Sequence, residues 1–392
     1  MPVTEAQARV YSPTMSTLGA ARKITFVSVM SGSPWGGSEQ LWSETATRLS
    51  AKGHRITASV HHWPQMSPAV GRLKEACRVY ERKDSPRLLD VFLRKFGQDP
   101  NLWAIRHFLK SQEPELVVIS CGGFSDDLSW CEACQSVKVP YVLVAQAVAE
   151  MWWPSDPQAA VIRRAYEGAQ KVYFVSDGNR RLVERMLGTG IPNAKVVRNP
   201  FNVPYTAECP YPPTDPTFNI ACVSRLEPYA KGQDLLFEVL RLEKWKSRNL
   251  KVSLFGDGGN VESLKALARR YDLGNVHFQG FAGNIQEVWA THHLLIVPSR
   301  LEGLPLALVE AMLCGRAAVV TDVAGNTEVV DDGVTGFVAA SPTPAHIDQA
   351  MERAWERRGS WGEMGKEAGR RIRQLVPADP AGAFADELLR LI

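Results

Sequence analysis

The chain of 392 residues predicts an α/β protein built from two doubly wound domains that face a cleft, on three observations. Short β-branched runs alternate with amphipathic segments in both halves, the pattern of parallel sheets covered by helices. A proline-dense stretch, residues 199–217 (NPFNVPYTAECPYPPTDPT), separates the halves. The residues with the most chemical potential follow apolar strand-like runs, and open α/β sheets hold ligands beyond the carboxyl ends of their strands.

In the first half, Lys23–Met30 reads as a strand that runs into a Gly-rich loop, Ser31-Gly-Ser-Pro-Trp-Gly-Gly37. Ser38 suits the N-cap of the next helix, with Leu41, Trp42, Thr45 and Leu49 inward and Gly53 as its stop. Further strands are expected at Arg55–His61, Leu116–Ser120, Tyr141–Ala145 and Lys171–Ser176. The second half gives Phe218–Ser224, Lys251–Phe255, Val276–Gln279, Leu294–Pro298 and Ala317–Thr321. The implied organisation is a polar leader (1–22), a first domain (23–200), a linker (201–217), a second domain (218–376) and a short amphipathic terminal helix (377–392).

Composition narrows the function classes. With 45% hydrophobic and 22% charged residues, the chain has the profile of a soluble globular protein. A formal charge of +3 gives no argument for nucleic acid as the partner. No apolar run approaches the roughly 18 residues that span a bilayer, and the leader lacks a signal-peptide core. Seven cysteines, scattered through apolar segments, fit buried thiols in a reducing compartment, which predicts the cytoplasm. Cys131 and Cys134 form a CxxC without a second pair or a His cluster, so no metal is expected there.

The densest block is Val297–Val338, which places Glu302 and Glu310 eight positions apart around Gly303, Leu304 and Pro305. Pro305 suits the first position of a helix, which leaves the Gly303 and Leu304 amides at an anion-attracting N-terminus. Glu310 lies further along that helix, where a carboxylate accepts paired hydroxyls; taken alone it equally suits a solvated face. Earlier, Arg225 follows a strand and Lys231 comes six residues later, before a helix. Two cations at that edge suit a diphosphate whose charge grows as its glycosidic bond breaks. Gly36 and Gly37 form a strand-to-helix turn that lets amides approach a phosphate or sugar. Glu39 in that turn is a second-tier candidate, since a first-turn acid also serves the helix dipole.

These blocks together resemble the family 4 retaining glycosyltransferases of the GT-B fold over most of residues 23–370. Arg225-Leu226 to Lys231-Gly232 is similar to the family's R-L-x-x-x-K-G pattern, and Glu302 to Glu310 to its EX7E region. The DG-TG-F pattern follows at Asp332-Gly333-Val334-Thr335-Gly336-Phe337. GGSEQ resembles the family's GG-x-E turn, Gly256-Asp257-Gly258 its G-x-G turn near the nucleotide, and Phe278–Phe281 the loop at the base. The resemblance implies two Rossmann-like domains and metal-independent transfer of a sugar from a nucleoside diphosphate (UDP, GDP or ADP), with no other cofactor. It implies Arg225, Lys231 and Glu302 as catalytic residues. It implies donor contacts from Gly36, Gly37, Gly256, Phe281, Gly303, Leu304, Pro305 and Glu310, the last at the ribose. The terminal helix is expected to cross back onto the first domain.

One position departs from the pattern: where many members carry a histidine near the reacting sugar, this chain has Gln146, which positions a hydroxyl but does not titrate near neutrality. A non-catalytic binding or scaffold subunit therefore stays open, as do an epimerase or a phosphorylase on the same scaffold. The acceptor, whether glycan, lipid or small molecule, is undetermined. Trp35, Trp63, Trp103, Trp152 and Trp153 supply aromatic faces in the first half, mostly core or cleft wall. Residues 72–97 carry eight Lys/Arg against four acids, which reads either as a solvated helix face or as a peripheral contact with anionic lipid at the inner membrane face.

Overall fold

The computed structural model describes residues 20–30, 32, 34–83, 99–213 and 217–392. It contains two parallel sheets. The first has seven strands: β1 (Lys23–Ser28), β2 (Arg55–His61), β3 (Arg78–Arg82), β4 (Leu116–Gly123), β5 (Tyr141–Ala147), β6 (Lys171–Phe174) and β7 (Ala194–Val196), in the order β3-β2-β1-β4-β5-β6-β7. The second has β8 (Phe218–Val223), β9 (Leu250–Phe255), β10 (Val276–Gly280), β11 (Leu294–Val297), β12 (Ala317–Thr321) and β13 (Gly336–Ala339), in the order β10-β9-β8-β11-β12-β13. The order reverses between β1 and β4 and again between β8 and β11, so each sheet has its switch point beside its first strand.

The central strands are apolar on both faces, as in parallel sheets covered by helices on each side. In β11, Leu294 and Ile296 enter one core while Leu295 and Val297 enter the other, and all four are buried. The strands with this character were legible in the sequence, ending within three residues of the expected limits. Three were not. β3 is a half-exposed edge strand of sequence RVYER, β7 has only three residues, and β13 lies inside the glycine-rich DG-TG-F stretch.

Several local expectations are corrected. Ser38 does not cap the helix Gln40–Ala51; a 3₁₀ turn, Gly37–Glu39, precedes it and Glu39 stands at the cap without a side-chain bond. Pro305 stands one position earlier than expected, as the extended residue before the helix Leu306–Leu313 (φ −60°, ψ 126°). The basic run is not one helix face: its described part comprises the end of the helix Pro68–Ala76 and the strand β3, and Arg82 points inward. The rest of that run, like residues 1–19 of the leader, lies outside the described residues. Among the described residues no helix is long and apolar enough to cross a membrane.

The chain passes between the sheets twice, in a first crossing described over residues 197–213 and again at 376–379. The final helix, Pro380–Leu389, packs on the helix Gln40–Ala51, where Thr45 Oγ1 donates to the Ala381 carbonyl at 3.2 Å. Its Phe384 meets Tyr173 edge to face at 5.0 Å, and Glu387 pairs with Lys195 at 2.7 Å. The first crossing is held by Arg316, only 1% exposed, whose guanidinium faces carbonyls rather than an acid. It donates to Trp289, His292 and Cys314 in the second domain and to Pro210 in the crossing, beneath the Tyr211 ring. Arg316→Met should therefore lower the unfolding free energy by at least about 3 kcal/mol, because several buried carbonyls lose their donor together. Urea denaturation with an unchanged m-value checks this.

Candidate active site at the interdomain cleft

The residues after β8 and after β11 meet at the switch point of the second sheet. Lys231 ends the short helix Pro228–Lys231, and the next residue, Gly232, turns with φ +67°. A side chain at Gly232 would put its Cβ 2.0 Å from the Pro298 carbonyl, so only glycine lets this turn lie over the end of β11. The result is contact between two distant motifs. Lys231 Nζ donates to Glu302 Oε1 at 2.8 Å, with 17% and 6% of the two side chains exposed. Ser299 Oγ donates to the same oxygen at 2.7 Å. Oε2 of Glu302 has no hydrogen-bond partner among the described residues. Arg225 stands at the outer edge, 58% exposed, and pairs with Glu227 at 3.0 Å.

Gly303 brings the first domain in. A Cβ there would lie 2.3 Å from the Gln146 carbonyl at the end of β5 and 2.5 Å from Val175 Cγ2. The domains thus touch backbone to backbone at the cleft floor. The amides of Gly303 and Leu304 have no acceptor among the described residues, while the Gly303 carbonyl accepts from Gly325 N at 2.9 Å. Leu304 is buried beneath the turn. Across the cleft, Gly37 reaches Leu306, whose Cδ1 would be 3.4 Å from a Cβ on Gly37.

Gln146 is 6% exposed and both ends of its amide are engaged. Its Nε2 donates to the Ser38 carbonyl at 3.2 Å, and its Oε1 accepts from Asn199 Nδ2 at 2.8 Å. It ties the glycine turn to the start of the crossing segment. Glu310 is buried, not a solvated face residue. Its Oε1 accepts from both the main-chain and side-chain nitrogens of Asn202, each at 2.8 Å. Burial raises its pKa, opposed by those two donors. Gly256 places its backbone against Ser224, next to Arg225, and its amide donates to the Gly280 carbonyl at 2.8 Å. Phe281 follows, 83% exposed at that edge.

Asn199, Asn202 and Ser299 have no motif of their own, and the two asparagines sit in a stretch whose composition reads as linker. A further contact also lay hidden: Glu328 accepts from the Gly178 amide at 2.7 Å, at the start of the helix Asp177–Leu187, and pairs with Arg198 at 3.0 Å. His292 and His293 are core residues, both with pKa lowered by burial.

Residues 212–373 match the family model described as glycosyl transferases group 1. That match spans the second domain, and the chain has the two-domain GT-B fold. D-rhamnosyltransferase WbpZ of Pseudomonas aeruginosa is 30% identical over 155 residues, 38% of this chain and 39% of its own length. D-inositol 3-phosphate glycosyltransferase of Frankia alni is 31% identical over 164 residues, 38% of this chain and 40% of its own. The chain thus aligns with about two fifths of the length of these curated relatives. Anabaena Alr3699/HepE in complex with UDP superposes with a TM-score of 0.75 at 20% identity, over 94% of this chain and 100% of that one. A glycosyltransferase from Rickettsia africae does so with 0.73 at 16% identity, over 94% and 97%. At these identities the structural likeness speaks for the fold.

Glu39 is a buried acid of the first domain whose pKa is displaced toward neutrality. It is 3% exposed; burial raises its pKa to about 7, against the lowering effects of the Ser28 hydroxyl and Arg82. Because the folded pKa exceeds the unfolded one, its contribution to stability is full below about pH 4.5 and is lost as pH rises through about 7. Glu39→Gln should therefore flatten the fall in melting temperature between pH 5 and pH 8, measured side by side with the parent chain. An identical slope in both proteins would contradict the assignment.

Proposed function

We propose that the protein is a glycosyltransferase that moves a sugar from a nucleoside diphosphate to an acceptor hydroxyl, with retained configuration and without a metal ion. The observation that carries this reading is the buried Lys231–Glu302 contact at the switch point of the second sheet, opposite the Gly36–Gly37 turn. The second domain's family match and the UDP and UDP-glucose held by the structurally similar Anabaena protein support it.

In this reading the diphosphate lies between Arg225, Lys231 and the amides of Gly303, Leu304 and the Gly36–Gly37 turn. Lys231 has two N–H groups beyond the one given to Glu302, and fixed donors aimed at growing charge lower the barrier. Glu302 turns Oε2 to the donor sugar's hydroxyls and supports the positive charge at its anomeric carbon. The bond from that carbon to the phosphate oxygen breaks as the bond to the acceptor oxygen forms on the same face, and the departing phosphate takes the acceptor's proton. Glu310 holds the ribose through Oε2, Pro305 sets the turn, and the nucleobase lies by Gly256 and Phe281. Gln146 fixes the turn near the reacting sugar. The site of action is the cytoplasm or the inner membrane face.

Calorimetry with UDP, GDP and ADP is the first test, and absence of binding by all three would refute the donor site. Arg225→Ala, at an exposed position, should lower turnover at least about tenfold, and Lys231→Ala and Glu302→Ala at least about a hundredfold. Both of the latter break a buried pair and should also cost roughly 3–5 kcal/mol of stability, so turnover is compared only below each variant's melting onset. EDTA should leave turnover of a sugar-nucleotide panel unchanged; abolition would show a required metal. Nucleotide binding without turnover of any panel member would favour the scaffold-subunit reading, which the fully engaged Gln146 amide already allows.

A further inference from the structure

Among the described residues, two cavities of ligand size open on the first domain, and neither includes the residues of the donor site. One, of about 780 Å³, lies beyond the carboxyl ends of β1 to β4, at that sheet's switch point, and is lined by Tyr80, Arg82, Asn101, Ala104, Phe108 and Asp127 among others. The second, of about 750 Å³, lies between the helices Ser129–Val137 and Asp156–Glu167 and includes Ser129, Trp152 and Gln158. Asp127 lines both. It is exposed, has the left-handed backbone angle φ +33°, and accepts a hydrogen bond from Ser129 Oγ. Left-handed backbone at a residue other than glycine carries a conformational cost and concentrates at functional positions. Each cavity falls in the roughly 300–1,000 Å³ range that encloses a ligand larger than one sugar ring.

The charge pattern selects among ligands. Arg82 is half-buried and engaged inside the protein: it donates to Ser59 Oγ at 2.9 Å and to the Ser28 carbonyl, lies over the Trp130 ring at 5.4 Å, and faces Asp127 and Glu39. Among the described residues, Glu81, Asp99, Asp126 and Asp127 stand in the first cavity against the Lys83 ammonium and the His61 imidazole. A phosphate headgroup would meet more carboxylates than free ammonium or guanidinium groups among these residues. Neutral hydroxyls suit the two cavities: Asn101 and Asp127 in the first and Asp127, Ser129 and Gln158 in the second exchange hydrogen bonds with them, and Tyr80 and Phe108 in the first and Trp152 in the second offer apolar walls. Val29 and Met30, at the end of β1 where the chain leads toward the Gly36–Gly37 turn, also line the first cavity.

We infer that the acceptor is a neutral oligosaccharide whose chain passes around Asp127, with its reacting end in the β1–β4 cavity and the preceding sugars in the cavity beside Trp152. Arg82 acts there as a positioning residue for Asp127. The inference rests on the donor reading above for which partner this groove serves, but not for what the groove binds.

The test applies the full-length protein, with saturating UDP and in a parallel run without nucleotide, to an array of neutral and acidic mono- and oligosaccharides, and to phosphatidylglycerol vesicles. Retention by neutral oligosaccharides at least about tenfold stronger than by their monosaccharides is expected, a difference of about 1.4 kcal/mol. Ala104→Trp, which fills the first cavity from an exposed position, and Asp127→Asn should each weaken that retention at least about tenfold, while UDP affinity by calorimetry stays within about twofold. Retention by acidic glycans or vesicles instead, equal retention of monosaccharides, indifference to both variants, or no retention at all would each overturn the inference. Failure to bind UDP would strike the donor reading separately, because array retention without nucleotide is scored on its own.

Discussion

The two domains meet backbone to backbone, and the cleft depends on that approach. At Gly303 the second domain comes so near the end of β5 that no Cβ fits. Gly178 stands in the same relation to the Ala324 carbonyl, and Gly325 to the Gly303 carbonyl and Ser176. Around these points the polar contacts fall into place: Asn179 toward the Glu302 carbonyl, Glu328 on the Gly178 amide and Arg198, and Gln146 between Ser38 and Asn199. A methyl group at any of the three glycines would push apart surfaces that also set the distance from the Gly36–Gly37 turn to Lys231.

The site divides into a part whose chemistry is local and a part made by assembly. Lys231, Glu302, Glu310 and the glycines sit in short motifs because each needs a strand end, a tight turn or a helix start at fixed spacing. That made them legible in the chain. Asn199 and Asn202 serve through hydrogen bonds to a distant amide and a distant carboxylate, and such pairings leave no spacing in sequence; Ser299 lies three residues from Glu302 but belongs to no motif. Composition misled at Asn199 and Asn202, since the residues that make turns also make caps and clamps. Glu39 shows the same limit: a first-turn acid and a buried acid are indistinguishable until Arg82 arrives from β3, an edge strand the alternation of RVYER did not announce.

The two carboxylates of the EX7E block differ in what holds them. Glu302 is balanced by an ammonium and a hydroxyl and keeps one oxygen without a partner among the described residues. Glu310 is balanced only by the amide donors of Asn202, and burial raises its pKa. A bound hydroxyl pair would therefore relieve an electrostatic cost at Glu310, whereas at Glu302 it would join a pair already matched in charge.

The double crossing of the chain has a mechanical consequence. The first crossing is anchored in the second domain by Arg316, and the returning chain is anchored in the first by Phe384, Glu387 and Thr45. A body joined at one point swivels in any direction; a body joined at two can turn only about the line between them. Opening of this cleft is thereby confined to something close to the swing of a door, and each closure returns Gly37 to the same place above Leu306.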